Sequence, residues 1–219
     1  MLLPGRLSSP YGRAVLARVP GLMLGLVLFG AGIALKLRSG LGLSPWDAFH
    51  QGVSIHVPLS IGTVTILVSG LVLLAWIPLR QRVGVGTVLN AVTVGLTIDI
   101  TLRLVAATGS TLVSWVYLLG SVGLIGLGSG LYIGARLGPG PRDGVMTGLA
   151  ARGLSIRLAR TIIEGTVLVA GWMLGGAIGI GTVVFAVLIG PLVQFFLRRL
   201  DRGPITVSAS PPRRTRRAT

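Results

Sequence analysis

Long apolar runs, interrupted by short polar or glycine-rich breaks, set the pattern of the chain. Six approach the roughly 20 residues that cross a bilayer at about 1.5 Å rise per residue. They lie at about 19–38, 60–79, 85–104, 112–134, 159–176 and 180–198. The pattern predicts an all-α polytopic membrane protein with six transmembrane helices.

The breaks carry a second pattern. GLGLSPWDAFHQG at 40–52 and RLGPGPRDGVMTG at 136–148 share a skeleton, with Pro45 and Asp47 recurring as Pro141 and Asp143, a shift of 96. Farther on, SIGTVTILVSG (60–70) matches SIRLARTIIEG (155–165), and VGVGTVLNAVTVG (83–95) matches IGIGTVVFAVLIG (178–190), both shifted by 95. Gly70, Gly84, Gly86 and Gly95 pair with Gly165, Gly179, Gly181 and Gly190. The sequence is therefore an internal duplication. It divides into a cytoplasmic N-terminal segment (1–18), a first membrane repeat (19–110), a second (111–200) and a basic, disordered cytoplasmic tail (201–219). Three spans per half is an odd number, so the halves are expected to sit inverted in the membrane, as in many secondary transporters.

Each Pro-x-Asp element reads as a helix start. Ser44 and Gly140 suit the N-cap, Pro45 and Pro141 the first helical position, and Asp47 and Asp143 can accept from free backbone N–H groups. A short helix is predicted after the first span of each half, at about 45–56 and 141–152. Two placements stand open. The helices lie flat at opposite faces of the bilayer, with Trp46 at the headgroups, or they are re-entrant, with their positive N-terminal ends near the midplane.

Composition agrees with the membrane reading: 52% of residues are hydrophobic and 11% charged, with mean hydropathy +0.85, against about 25% charged in soluble domains. The net charge of +15 would suit nucleic acid in a soluble domain, but here the arginines lie at span ends and in the tail. They read as topology signals and contacts to anionic headgroups, and no nucleic-acid partner is expected. With the N-terminus inside, seventeen basic residues fall on the cytoplasmic side and three, Lys36, Arg38 and Arg103, outside. Both termini are therefore expected in the cytoplasm, and the first span reads as uncleaved.

The remaining polar residues narrow the chemistry. Glu164 stands inside the fifth span with Arg160 one turn earlier on the same face, and an intramembrane carboxylate is a functional candidate. Asp99, matched by Gln194, suits the outer interface; Asn90, opposed by Phe185, suits a helix–helix hydrogen bond. His50 and His56 lack companions at ligand spacing, so no metal or cofactor is expected. With no GxSxG, P-loop or HExxH motif, the chain is not expected to be an enzyme. Zero cysteines exclude thiol chemistry.

GLGLSPWDAFHQG, LYIGARLGPGPRDGVMTGLA, RLARTIIEG and GWMLGGAIGIGTVVFAVLIGPLVQ together resemble the YczE-type integral membrane proteins of bacteria, related to the YitT group, over about residues 20–200. The resemblance implies a bacterial cytoplasmic-membrane protein and no defined mechanism, with some members linked to producing secondary metabolites. Related proteins are often described with five spans, whereas the arginine count favours six.

Two functions fit. One is a small permease or channel-like protein whose site, for a small solute or ion, lies between the repeats near Asp47, Asp143, Arg142, Arg160 and Glu164. The other is a non-transporting scaffold or accessory subunit, binding a membrane protein partner or a second copy of itself. Depth discriminates them: carboxylates in one shared cavity favour transport, and carboxylates at opposite headgroup layers favour the scaffold.

Overall fold

The computed structural model describes residues 10–205. Residues 1–9 and 206–219, half of the expected N-terminal segment and most of the expected tail, lie outside the described residues. Ten helices follow in order: α1 (Pro10–Leu16), α2 (Val19–Ser39), α3 (Pro45–His56), α4 (Ile61–Leu74), α5 (Trp76–Leu79), α6 (Val85–Leu104), α7 (Thr111–Gly134), α8 (Pro141–Ala150), α9 (Ile156–Met173) and α10 (Ile180–Leu200). No strand occurs among the described residues. The short helices α3 and α8 fall where the Pro-x-Asp elements predict them, with Ser44 and Gly140 at the N-caps and proline opening each helix.

Five helical stretches are long and apolar enough to cross a membrane: Gly12–Ser39, Ile61–Leu79, Val85–Leu104, Thr111–Gly134 and Ile180–Leu200. The sixth expected span, at 159–176, differs. It forms α9, an 18-residue helix, but Arg157, Arg160 and Glu164 fall within its length and lower its hydropathy. The expected second span is also interrupted, turning at Ala75 into the short α5.

Glycines set the directions of the helices, because close backbone approach needs a missing Cβ. Gly25 meets Gly128 and Tyr132 while Gly32 meets Ser121 and Ile125, so α2 and α7 cross antiparallel. Gly126, Gly130 and Gly134 meet Leu192, Phe196 and Leu200 in turn, so α7 and α10 run parallel. Gly30 against Val94 and Thr97, with the Arg38 guanidinium donating to the Leu102 carbonyl, sets α2 parallel to α6. Since α7 and α10 run the same way, α8 and α9 must carry the chain back along the bundle between them. The core between α2, α6 and α7 is filled by Leu22, Leu26, Ile33, Val94, Ile98 and Ile125.

Contacts between the halves come in exchanged pairs. The Gly32–Ser121 approach is mirrored by Gly128–Gly25, and Gly52–Leu174 by Gly148–Leu79. The Gly86 N–H donates to Leu137 O at 2.9 Å, and its counterpart Gly181 N–H donates to Leu41 O at 2.7 Å. Gly42 (φ +120°) packs on Gly179 and Thr182 as Gly138 (φ +130°) packs on Gly84 and Thr87. Both glycines combine a left-handed backbone with a contact that leaves no room for a side chain.

One contact does not repeat. In the first half α4 packs closely on α6, with Gly62 against Gly95; in the second, α9 and α10 barely touch.

Candidate functional site

The loops that break α2 from α3 and α7 from α8 aim both short helices at one place. Leu43 N–H donates to Ala177 O at 3.0 Å, and Ala177 N–H donates to the Gln51 side chain at 2.7 Å, fixing α3 on the α9–α10 loop. On the other side the buried Trp76 indole donates to Pro141 O at 2.9 Å, in space that Gly144 leaves free. The N-termini of α3 and α8 then meet. The Arg142 guanidinium lies over the Trp46 ring, 4.9 Å from its centroid, and these two residues hold equivalent repeat positions. Helices lying at opposite bilayer faces would be separated by a hydrocarbon core of roughly 30 Å, more than these side chains bridge. That placement is therefore excluded, and Trp46 stands in the interior.

Between the halves lies a cavity of about 580 Å³. Ser44, Pro45, Asp47, Gly140, Pro141, Arg142, Asp143, Arg160 and Glu164 all line it, so the residues singled out from sequence converge on one space. Around it each carboxylate has a partner. The Arg160 guanidinium donates to Glu164 at 2.9 Å, along one face of α9 at the more exposed margin. Tyr132 OH donates to Asp143 Oδ2 at 3.1 Å. Asp47 Oδ2 sits 2.8 Å from Lys36 Nζ and accepts from Ser44 Oγ at 2.5 Å.

Two expectations are corrected here. Lys36 is not an outer-surface topology signal: it is fully buried, one turn before the end of α2, with its ammonium also 3.5 Å from the Phe185 ring centroid. A lone lysine near a span end resembles a snorkelling residue, and the break at Gly40 turns the chain inward instead. Nor does Ser44 cap its helix by accepting a backbone N–H; its hydroxyl donates to Asp47, whose carboxylate turns to Lys36. The signal for both was in the repeat. Lys36 and Tyr132 stand eleven residues before Asp47 and Asp143, so each aspartate has a polar partner on the preceding helix.

Elsewhere Asp99 holds the start of α4, accepting from Gly62 N–H at 2.9 Å and Ser60 Oγ at 2.5 Å. His50, 1% exposed, contacts Thr65 Oγ1 through Nδ1 at 3.1 Å.

Residues 16–198 match the model of a family of unknown function, DUF6198. The chain belongs to this family. It is 40% identical over 184 residues to an uncharacterized protein of Haemophilus influenzae, covering 84% of each chain. It is 36% identical over 203 residues to the uncharacterized membrane protein YczE of Bacillus subtilis, covering 86% of this chain and 93% of that one. YyaS of the same organism, also uncharacterized, is 32% identical over 187 residues, covering 82% and 92%. No solved structure matches the chain. The family and the apolar helices together make this a membrane protein; cavity-lining charge is then unusual enough in a bilayer to need a reason.

Proposed function

We propose that the protein is a small permease of the bacterial cytoplasmic membrane, built from two inverted three-span repeats, with its solute site in the central cavity. The observation that carries this reading is the meeting of both Pro-x-Asp helix starts, through Trp46 and Arg142, at a charged cavity between the halves. A scaffold has no need of buried ionisable groups around open space, whereas a translocation site does.

The six-span topology belongs to the same proposal. Five apolar helices alone would put the C-terminal end of α10 across the membrane from that of α7. Yet Gly134 packs on Leu200, and Arg136 bonds Asp201. A membrane-crossing α9, with Arg160, Glu164 and Leu168 turned to the cavity and Ile162, Val169 and Trp172 exposed to lipid, removes the conflict. At about 27 Å for its 18 residues, it is long enough when the hydrocarbon layer thins slightly or α9 stands upright. Both termini then lie in the cytoplasm beside anionic headgroups, and no catalytic step is assigned.

The chain has no cysteine, so single cysteines report cleanly. A cysteine at Leu168, in the cavity wall, should react with a membrane-impermeant maleimide added to either side of oriented vesicles. Reaction from one side only would describe a fixed vestibule and end the permease reading. Cysteines placed at Arg82 and Arg202 should label from the same side; labelling from opposite sides would remove the sixth span.

A further inference from the structure

We propose that the central cavity binds a small organic acid: a carboxylate head with a hydroxyl or ammonium beside it, on an apolar body. The inference deepens the permease reading and rests on it for its biological meaning, although binding itself needs no transport.

Several polar groups of the cavity wall are taken, and others are still open. Asp47 Oδ2 is occupied by Lys36 and Ser44, Asp143 by Tyr132 and Glu164 by Arg160. Arg142 is different: among the described residues its guanidinium finds no hydrogen-bond partner and no ion pair within 4 Å, and it stacks on Trp46. A guanidinium offers five N–H donors in a planar fork that matches a carboxylate. Beside it the buried Trp46 Nε1–H has no acceptor. The Lys36 ammonium, with three donors, faces one carboxylate oxygen and one ring. The first turns of α3 and α8, twelve and ten residues long, add positive potential at the same cavity. The open groups are thus mainly donors, and they suit an anion.

Among the described residues of the cavity wall, one fully buried acceptor stands open. Asp47 Oδ1 is buried without a hydrogen-bond partner on a side chain only 2% exposed. A bare carboxylate would leave that oxygen unfilled, whereas a neighbouring hydroxyl or ammonium on the ligand would donate to it. Phe29, Phe185, Ile125, Ile189 and Leu168 supply apolar wall for the rest of the molecule. A simple cation would find Asp47 and Glu164 already paired with Lys36 and Arg160, and beside Asp143 it would face the Arg142 charge.

The experiment uses the purified full-length chain in detergent and four probes sharing one ring: phenyllactate, phenylalanine, 3-phenylpropionate and phenethylamine. Titration calorimetry should rank the first two above 3-phenylpropionate, and all three carboxylates at least about tenfold above phenethylamine, since charged hydrogen bonds carry that much. Arg142→Gln should weaken phenyllactate about tenfold or more. Arg142→Lys, which keeps the charge and loses the fork, should weaken it by nearly as much, and Trp46→Phe by less. Each variant is first checked for an unchanged size-exclusion profile; if Arg142→Gln aggregates, Arg142→Lys and Trp46→Phe decide. Phenethylamine binding as tightly as phenyllactate, carboxylates failing to bind, or full affinity in the folded Arg142 variants would each overturn the proposal. Carboxylate binding without two-sided access at Leu168 would sustain it while removing the permease reading. Two-sided access with amine selectivity would do the reverse.

Discussion

The two halves were copied from one pattern, and they differ most where α4 meets α6 and α9 fails to meet α10. In the first half Gly95 packs against Gly62 and Ile66. In the second, Gly190 has nothing within 4 Å, and the position matching Gly62 is Arg157, an exposed arginine. The same sequence element therefore closes one flank of the bundle and leaves the other standing off. For an inverted repeat that asymmetry has a use: if each half can take the other's packing, the cavity exchanges one open flank for the other. Gly190 leaves the room on α10, but a Cβ at the position of Gly62 would collide with the facing backbone, so Arg157 keeps the second flank from closing as tightly as the first.

The largest effect that separates exchange from fixed asymmetry is a cross-link. Gly62 and Gly95 offer no place for one, because a Cβ at either would collide with the backbone oxygen of the other. Cysteines at Arg157 and Gly190, which the open flank holds apart, should link through an approach of α9 to α10, as tracked by gel mobility against time. If this pair never links, the open flank is permanent and the comparison describes divergence and not motion.

Next come the two aspartates. Lys36–Asp47 is an ion pair with both side chains buried, whereas Asp143 is met by the neutral Tyr132 at the equivalent position. Removing one member of a buried pair strands a charge, so Lys36→Met should cost about 3–5 kcal/mol. Tyr132→Phe removes one hydrogen bond to a carboxylate and should cost about 1–3 kcal/mol. Thermal unfolding in detergent gives the order, and equal losses would mean that the two halves hold their aspartates in the same way after all.

The duplication, the helix starts at Pro45 and Pro141 and the gathering of Asp47, Arg142, Asp143, Arg160 and Glu164 between the halves were legible, because each rests on spacing that survives in the sequence. Lys36 was not. Charge counting places a basic residue near a span end on the surface, and only the tertiary turn at Gly40–Gly42 brings it to Asp47. The depth of α3 and α8 was likewise open: amphipathic helices at a headgroup layer and helix starts meeting in the interior share the same polar pattern. The Trp46–Arg142 contact decides it, and no local periodicity encodes a contact across 96 residues. Finally, α9 shows why span counting wavers. Its hydropathy is lowered in part by Arg160 and Glu164, which line the cavity and do not sit in a loop.

A smaller test acts on the flanks directly. A methyl at Gly95 would collide with the Gly62 backbone, so Gly95→Ala should cost about 1–3 kcal/mol as overpacking. At Gly190 the space is open, and alanine there should stabilise α10 by about 0.5–1 kcal/mol through helix propensity alone. Opposite signs at matched positions sharpen the comparison. Destabilisation by both would show that Gly190 spends much of its time packed, and the cross-link at positions 157 and 190 should then form quickly.

The smallest effect lies outside the spans, at a junction only the second half possesses. Arg136, held at φ 57°, reaches Asp201 through Nε at 2.8 Å and through Nη2, tying the end of α7 to the end of α10. The corresponding position in the first half is Gly40, with no carboxylate to meet. The Arg136 hydrogen bonds, helped by the Gly203 N–H, pull the Asp201 carboxyl from 3.8 down to about 2. A depressed carboxylate stabilises the folded chain above its ordinary pKa and loses that contribution as pH falls through the folded value. The wild-type chain should therefore melt slightly above Arg136→Gln at pH 6, with the gap shrinking below pH 4 and closing near pH 2. The pair is exposed and salt-screened, so the gap is small at any pH and smaller at high salt. A difference that persisted unchanged at pH 2 would assign the role of Arg136 to its left-handed turn and not to its charge.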